Sequence, residues 1–279
     1  AATTTSAGGE GGAPGHRSPP SRPPPPSPLS GACMARRCYY RRPGGFVCVA
    51  QACLEDARED FVGDAIATST NCRLEGTHRR NWWGFVGRRS ADAALHDRAG
   101  PRLLRACRSG AAELPFGTVL ATPAGPNISA RSVLHTAVPS HPAGRDPRPM
   151  PAAQAGDYVD AELAETLLRQ SYTEILRHAA GMRATSLACP AIGCGIRTYP
   201  IREAARIGLG AILEDRLVPY VEVRIWDWVT FLSWRQECEA LALTACEEAD
   251  VQDALWDGEP LANWHSKQLS REKQYCAVM

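Results

Sequence analysis

Residues 185–210 read TSLACPAIGCGIRTYPIREAARIGLG, and this stretch indicates the class of fold. An apolar run of strand length at 185–189 leads into a loop with two glycines, and a helical pattern begins near Pro200. A continuous apolar strand that passes through a short loop into a helix is typical of a parallel sheet covered on both faces. The stretch therefore predicts an α/β domain.

The same alternation continues on both sides of this stretch. The predicted strands cover residues 46–52, 64–69, 118–122, 132–138, 185–189 and 221–226. The predicted helices cover residues 91–98, 101–108, 161–179, 201–215 and 230–243. Strands that alternate with helices favour a three-layer α/β/α domain with a mixed, mostly parallel central sheet. We place this domain at residues 44–242.

The two ends of the chain differ in composition from the predicted domain. Residues 1–31 contain eight Pro, six Gly and no aromatic residue, so we expect a disordered N-terminal segment over residues 1–43. Residues 243–279 are predicted to be a polar tail, and its last four residues, CAVM, fit the pattern for prenylation of Cys276. The alternative is an accidental match to a short pattern. A single prenyl chain gives weak, reversible membrane attachment.

Composition excludes several classes of protein. The 31 basic and 30 acidic residues nearly cancel, which argues against a specific nucleic-acid surface. The eleven cysteines are scattered and form no CxxC pair, which argues against a zinc ribbon and indicates a reducing compartment, the cytoplasm or the nucleus. The first residue is Ala, so we expect the sequence to be a fragment or a processed product.

The loop at residues 190–200 has the composition of an anion site. Gly193 and Gly195 flank Cys194, and glycines allow backbone N–H groups to turn toward an anion beside a helix N-terminus. A phosphate or diphosphate would fit, and a tight turn that needs glycine is the alternative. Arg197 lies three residues after Cys194, which is too close for a cysteine phosphatase loop.

Several segments, taken in order, resemble the macro domain, a fold that binds ADP-ribose. These segments read DAI (64–66), TSTN (68–71), ADAALH (91–96), AGP (99–101), VLHTAVP (133–139), PAIGCGIRTYP (190–200) and EAARI (203–207). The order of the segments along the chain is far more specific than any one of them.

The resemblance implies a set of site residues. Asn71 matches the amide that contacts the distal ribose in MacroD-like hydrolases, and Asp92 matches the acid that orients or activates water there. The implied ligand-binding residues are Ile66, Gly193, Cys194, Gly195, Ile196, Arg197, Thr198 and Trp226. The glycine loop would bind the diphosphate and Trp226 the adenine. The alternatives are a turn residue at Asn71, a helix N-terminal residue at Asp92 and a core aromatic at Trp226. His96 and His135 are predicted to be core histidines.

Four departures from the family pattern affect this interpretation. Ala52-Cys53-Leu54 replaces a Gly-Asp-Ile segment, Thr68 replaces the first Asn, and Arg197 replaces an aromatic that stacks on the distal ribose. The fourth departure is an insertion over residues 77–89, rich in Trp and Arg. It is either a lid over the ligand or a loop pinned to the core.

The resemblance implies a protein that binds ADP-ribose and hydrolyses ADP-ribosyl or O-acyl-ADP-ribose bonds with the aid of Asp92. The alternative is a non-catalytic reader of ADP-ribose or ADP-ribosylated proteins, and a third hypothesis is a scaffold with a closed pocket. We expect no cofactor and no metal. We expect a monomer in the cytoplasm or nucleus, with membrane association through Cys276.

Overall fold

The computed structural model describes residues 36–52, 61–74, 78–80, 86–144, 158–261, 263–264 and 267. All of them belong to one compact unit, Ala35–Met279. The predicted disorder of residues 1–35 lies outside the described residues. So do Cys53, the aromatic residues Trp82, Trp83 and Phe85 of the insertion, and the predicted lipidation site Cys276.

A mixed eight-stranded sheet forms the centre of the described residues. Its strands are β1 (Arg37–Arg42), β2 (Gly45–Ala50), β3 (Gly63–Thr70), β6 (Val119–Pro123), β7 (Ala130–Ala137), β8 (Ser186–Pro190), β9 (Tyr220–Arg224) and β10 (Thr244–Cys246). Strands β4 (His78–Arg80) and β5 (Val86–Arg89) form a separate two-stranded antiparallel sheet within the insertion. The predicted strands are confirmed to within two residues at each end.

The strand order in the large sheet is β10-β1-β2-β9-β8-β3-β7-β6. The four central pairs, from β2 to β7, are parallel. The three outer pairs, β10–β1, β1–β2 and β7–β6, are antiparallel. The prediction of a mixed, mostly parallel sheet is therefore confirmed.

Helices cover both faces of the sheet. Within the described residues they are α1 (Ala91–Ala99), α2 (Pro101–Gly110), α3 (Ala161–Gly181), α4 (Ile201–Glu214), α5 (Trp228–Ala240) and α6 (Glu248–Trp256). One core cluster joins the sheet to α3, α4 and α5, and a second joins it to α1, α2 and α6. This is the predicted three-layer α/β/α arrangement. Among the described helices, none combines the length and the apolar character that crossing a bilayer requires.

Strand β2 shows why the chain needs two covering layers. Val47 and Val49 belong to one core cluster, whereas Phe46, Cys48 and Ala50 belong to the other. Successive side chains of a strand point to opposite faces, so a strand that is apolar at every position must be covered on both.

The domain is wider than the predicted boundaries, 44–242. Strand β1 lies before residue 44 and pairs along its length with β2. Helix α6 lies after residue 242, and its Val251 and Trp256 are buried in the second core cluster. The Trp256 ring packs edge-on against Tyr220, with 5.2 Å between ring centroids. The predicted N-terminal segment, 1–43, therefore ends too late along the chain, and the predicted polar tail, 243–279, begins too early.

The aspartate of the DAI segment has a structural role. Asp64 lies near the start of β3, where its Oδ2 accepts hydrogen bonds from the Thr185 backbone N–H (2.7 Å) and hydroxyl (2.9 Å). These bonds join the beginning of β3 to the beginning of β8. They fix the register of the two strands, whose opposite ends carry the predicted site.

Candidate functional site

Most of the predicted site residues lie along one edge of the sheet. Parallel strands end at the same edge, and ligands of open α/β sheets bind beyond those carboxyl ends. Here Trp226 follows β9, the glycine loop 191–200 follows β8, and Asn71 follows β3. Because the order in the sheet is β9-β8-β3, these three features stand side by side.

Gly193 and Tyr199 define the shape of the glycine loop. Gly193 has φ +89°, and a Cβ built there would lie 2.9 Å from Cδ2 of Tyr199. The Tyr199 N–H donates to the Gly193 carbonyl over 3.1 Å, and the Ile192 N–H donates to the Tyr172 hydroxyl over 3.0 Å. The loop therefore requires glycine at position 193 and is anchored to α3.

Some of the loop amides are available for an anion. The Cys194 and Thr198 N–H groups donate to carbonyls inside the loop, so these two amides are already engaged, and the ligand contact of the two residues stays a prediction. The N–H groups of Gly193, Gly195 and Ile196 make no hydrogen bond with another residue of the described chain. Helix α4 begins immediately afterwards, and its N-terminus adds a favourable dipole for negative charge.

Cys194 is a neutral side chain in this loop. Burial raises the pKa of its thiol to about 12, with a smaller contribution from the Asp227 charge. The thiol is protonated at neutral pH, so it neither repels a phosphate nor serves as a nucleophile. This agrees with the exclusion of a cysteine phosphatase.

Trp226 presents an aromatic face to solvent at the end of β9. It is 65% exposed, so the alternative of a core aromatic at this position is wrong. Trp228 stands beside it, with its ring stacked on Phe231 at 5.4 Å and the Arg36 guanidinium 4.8 Å from its ring centroid. Trp228 was not among the predicted site residues, although it lies two positions after Trp226 in the aromatic segment at the end of β9.

Asp92 is buried at the N-terminus of α1, where Ser90 caps the helix by accepting from the Ala93 N–H over 3.0 Å. The Thr68 hydroxyl donates to its Oδ1 over 3.3 Å, and His96 Nε2 lies 3.7 Å from the same oxygen. Thr68 is three residues before Asn71. The Asp92 carboxylate therefore lies next to the last residues of β3, and its side chain has no exposed surface.

Ile66 and His135 are core residues. Ile66 is 2% exposed and belongs to the second core cluster, so this side chain packs in the core in place of the predicted ligand contact. His135 Nε2 contacts the Thr122 hydroxyl at 2.9 Å. Burial, with a smaller effect of His96, lowers the pKa of His135 to about 3. It is an uncharged core histidine at neutral pH, as predicted.

Arg197 is buried in the glycine loop, 7% exposed. Its Nη1 donates to Oγ of Ser140, in the loop after β7, over 3.3 Å. Ser140 was not among the predicted site residues, since nothing in the neighbouring sequence distinguishes it from a turn residue. A positive charge therefore lies within the site, on the side away from Trp226.

Among the residues that the structure describes, two groups of side chains have potential metal-ligand atoms within 4.8 Å of one another. They are His96, Cys107 and His135, and His141, Glu165 and Glu203. In the first, His135 Nε2 is already engaged by Thr122 and lies 3.5 Å from Cys107 Sγ. In the second, His141 Nδ1 accepts from the Ala143 N–H, which leaves the proton of the neutral ring on Nε2. Neither geometry favours a metal, and the expectation that none is bound stays a prediction.

Residues 67–208 match the family model described as Macro domain. A macro domain-containing protein of Streptomyces griseus is 35% identical over 145 residues, which cover 50% of this chain and 72% of that protein. An O-acetyl-ADP-ribose deacetylase of Salmonella newport is 32% identical over 154 residues, which cover 54% of this chain and 70% of that enzyme.

Solved structures show a similar fold. The Oceanobacillus iheyensis macrodomain with ADP aligns with a TM-score of 0.60 and 22% identity, covering 75% of this chain and 98% of that chain. At this identity the similarity concerns the fold, and it extends over nearly the whole of the solved domain.

Proposed function

This chain belongs to the macro domain family, and from that membership we propose that it binds ADP-ribose along the carboxyl edge of its central sheet. One observation carries the proposal: the order of chemical groups along that edge. An exposed indole follows β9, unpaired amides follow β8 and a carboxamide follows β3. Adenine, diphosphate and distal ribose have the same order in the ligand.

Each group of the ligand has a physical partner in this arrangement. Trp226 offers its ring face for stacking on adenine. The Gly193, Gly195 and Ile196 amides and the N-terminus of α4 offer partial positive charge to the diphosphate. The Asn71 side chain offers a donor and an acceptor to the ribose hydroxyls.

We propose hydrolysis of an O-acyl or ADP-ribosyl bond as the activity of this site. Support comes from the relatives that are O-acetyl-ADP-ribose deacetylases and from the position of Asp92 beside the last residues of β3. The Asp92 carboxylate accepts a proton from a water as that water attacks the acyl carbonyl, and it returns the proton to the ribose oxygen as the acyl C–O bond breaks. Acetate and ADP-ribose are then the products of the acetylated substrate.

A non-catalytic reader is the second candidate function. The observation that favours it is the environment of Asp92, whose side chain has no exposed surface and whose Oδ1 already accepts from Thr68. A carboxylate held in this way stabilises the N-terminus of α1 without any need for substrate.

Hydrolysis of O-acetyl-ADP-ribose by wild type and Asp92→Asn separates the two candidates. The substitution keeps the shape of the side chain and removes its basicity. The enzyme hypothesis predicts turnover that falls by about 100-fold or more in the variant, while ADP-ribose affinity is retained. Wild-type protein that binds ADP-ribose without turnover would select the reader, whereas equal turnover in the two proteins would show that Asp92 is not the catalytic base.

We also propose that the protein acts as a monomer in the cytoplasm or nucleus and reaches membranes through prenylated Cys276. The support for a reducing compartment is that the eight cysteines among the described residues are all free thiols. The support for prenylation is the CAVM sequence at residues 276–279.

A further inference from the structure

Helix α2 carries an unbalanced positive charge on its exposed side. Its sequence, PRLLRACRSG, contains three arginines and no acidic residue. Leu103 and Cys107 are buried in the second core cluster, whereas Arg102, Arg105 and Arg108 are exposed. Residues three positions apart in a helix are neighbours on its surface, so the three arginines share the face of α2 that is turned away from the core.

The exposed arginines of α2 do not stabilise the helix. Among the described residues, the side chains of Arg102 and Arg105 have neither an ion pair nor a hydrogen bond. Arg102 lies in the first turn, where the helix dipole disfavours a positive charge, and arginines three positions apart repel each other. A charge arrangement of this kind is expected of a surface that binds a negatively charged partner.

The end of α2 lies close to Asn71, at the proposed distal-ribose end of the site. The chain turns directly after Asn71, and Arg73 is exposed in this turn. The Leu114 N–H donates to the Cys72 carbonyl over 2.8 Å, which joins the segment after α2 to the same turn. Because α2 ends four residues before Leu114, its last turn lies within about 20 Å of Cys72. We call the exposed arginines of the turn and of α2 the basic face: Arg73, Arg102, Arg105 and Arg108.

The basic face suits an acidic polypeptide better than a nucleic acid or a lipid surface. Helix α2 has no aromatic residue, so it offers no ring on which a nucleobase could stack. Its buried residues face the core, so it has no apolar face to insert into a membrane. Arginine forks match the geometry of carboxylates, and an extended peptide of about ten residues covers the roughly 30 Å from the turn to the start of α2.

We propose that the basic face binds an acidic segment of an ADP-ribosylated protein. Such a protein is joined to ADP-ribose through the distal ribose, so its chain leaves the site next to Asn71, where the basic face begins. This inference rests on the proposed function, because that function locates the distal ribose at the end of β3. The basic face then selects, among modified proteins, those with glutamate and aspartate near the modified residue.

Calorimetric titration of the full chain with three probes tests the inference. The first probe is ADP-ribose. The other two are peptides of about 20 residues, ADP-ribosylated on a central serine that is flanked on both sides either by glutamates or by glutamines. The variant is the double substitution Arg102→Gln with Arg105→Gln. The matched control is Arg183→Gln with Arg206→Gln, because it removes the same charge from two exposed residues in the layer of α3 and α4.

Wild-type protein is expected to bind the glutamate peptide about tenfold or more tightly than the glutamine peptide at low salt. Added NaCl reduces this preference, because exposed charges are screened. The double variant loses the preference and keeps its affinity for ADP-ribose within about threefold, whereas the control keeps both values. The variant should also melt no lower than wild type, since the substitutions remove repelling charges and no core contact.

Equal wild-type affinities for the two peptides, with ADP-ribose still bound, would overturn the inference and leave the proposed function intact. A preference that the double variant keeps would overturn it as well, because the acidic segment would then bind elsewhere. A fourth probe is single-stranded DNA with ADP-ribose on its terminal phosphate. If the affinity for this probe alone depended on the two arginines, the basic face would bind nucleic acid and the inference would be wrong. Failure of every probe to bind, ADP-ribose included, would remove the proposed function together with the inference.

Discussion

Tyr199 packs so closely against Gly193 that a Cβ at residue 193 would lie 2.9 Å from the tyrosine ring. The Tyr199 N–H also donates a hydrogen bond to the Gly193 carbonyl. We therefore expect Gly193→Ala to distort the loop and to weaken ADP-ribose binding by about tenfold or more, since its φ of +89° also strains any side chain. Titration calorimetry measures the effect. Gly181→Ala is the control, because open space surrounds a Cβ there. Equal affinities in the two variants would show that the loop shape does not matter for binding.

Helix α6 stabilises the domain although it lies outside the predicted boundaries. Trp256 is 3% exposed and packs on Tyr220, so Trp256→Ala should lower the free energy of unfolding by about 3 kcal/mol or more. Urea denaturation measures this value. Trp228→Ala removes an indole that is 41% exposed and should cost clearly less. A Trp256 variant as stable as wild type would mean that α6 does not belong to the folded unit.

His135 makes stability depend on pH. Its pKa is lowered to about 3 in the folded protein by burial, with a smaller effect of His96, and it is ordinary in the unfolded chain. The unfolded state therefore binds the proton first as the pH falls below about 6.5. We expect the folded protein to lose about 2 kcal/mol between pH 7 and pH 5 from this residue.

Urea denaturation of wild type and His135→Gln at the two pH values isolates this effect. The variant is less stable at pH 7, but its stability falls less between pH 7 and pH 5. If the two proteins lost the same free energy over this interval, His135 would titrate normally in the folded state.

Cys276 should carry a farnesyl group in the native cell, since Met279 occupies the position that favours this lipid. Intact-mass measurement of protein purified from that cell should show one added prenyl group and loss of residues 277–279. Cys276→Ser should show neither change and less recovery with membranes. An unmodified mass that includes Met279 would reject lipidation.

Much of the fold could be predicted because short apolar runs of strand length alternate with longer helical patterns along the chain. Strand β1, RCYYRR, could not, because its arginines and its half-buried positions resemble a basic, exposed segment. Its strand structure depends on pairing with β2 and with the three-residue strand β10, which has no signal of its own.

The site was predicted in part. The resemblance identified the ends of β3, β8 and β9, because the residues that form each of these motifs are close together in the sequence. It assigned Ile66 to the ligand, whereas alternation along β3 turns this side chain into the core. Ser140 was missed, since its contact with Arg197 joins residues 57 positions apart, and only the strand order brings them together.

The central claim is that ADP-ribose binds along the carboxyl edge with its adenine on Trp226. Calorimetric titration of ADP-ribose into wild type and Trp226→Ala tests it most directly. We expect one molecule bound per chain, and a loss of about tenfold or more in affinity in the variant. Because Trp226 is 65% exposed, the thermal stability of the unliganded variant should not change. No heat and no thermal shift with wild-type protein, or an unchanged affinity in Trp226→Ala, would contradict the account.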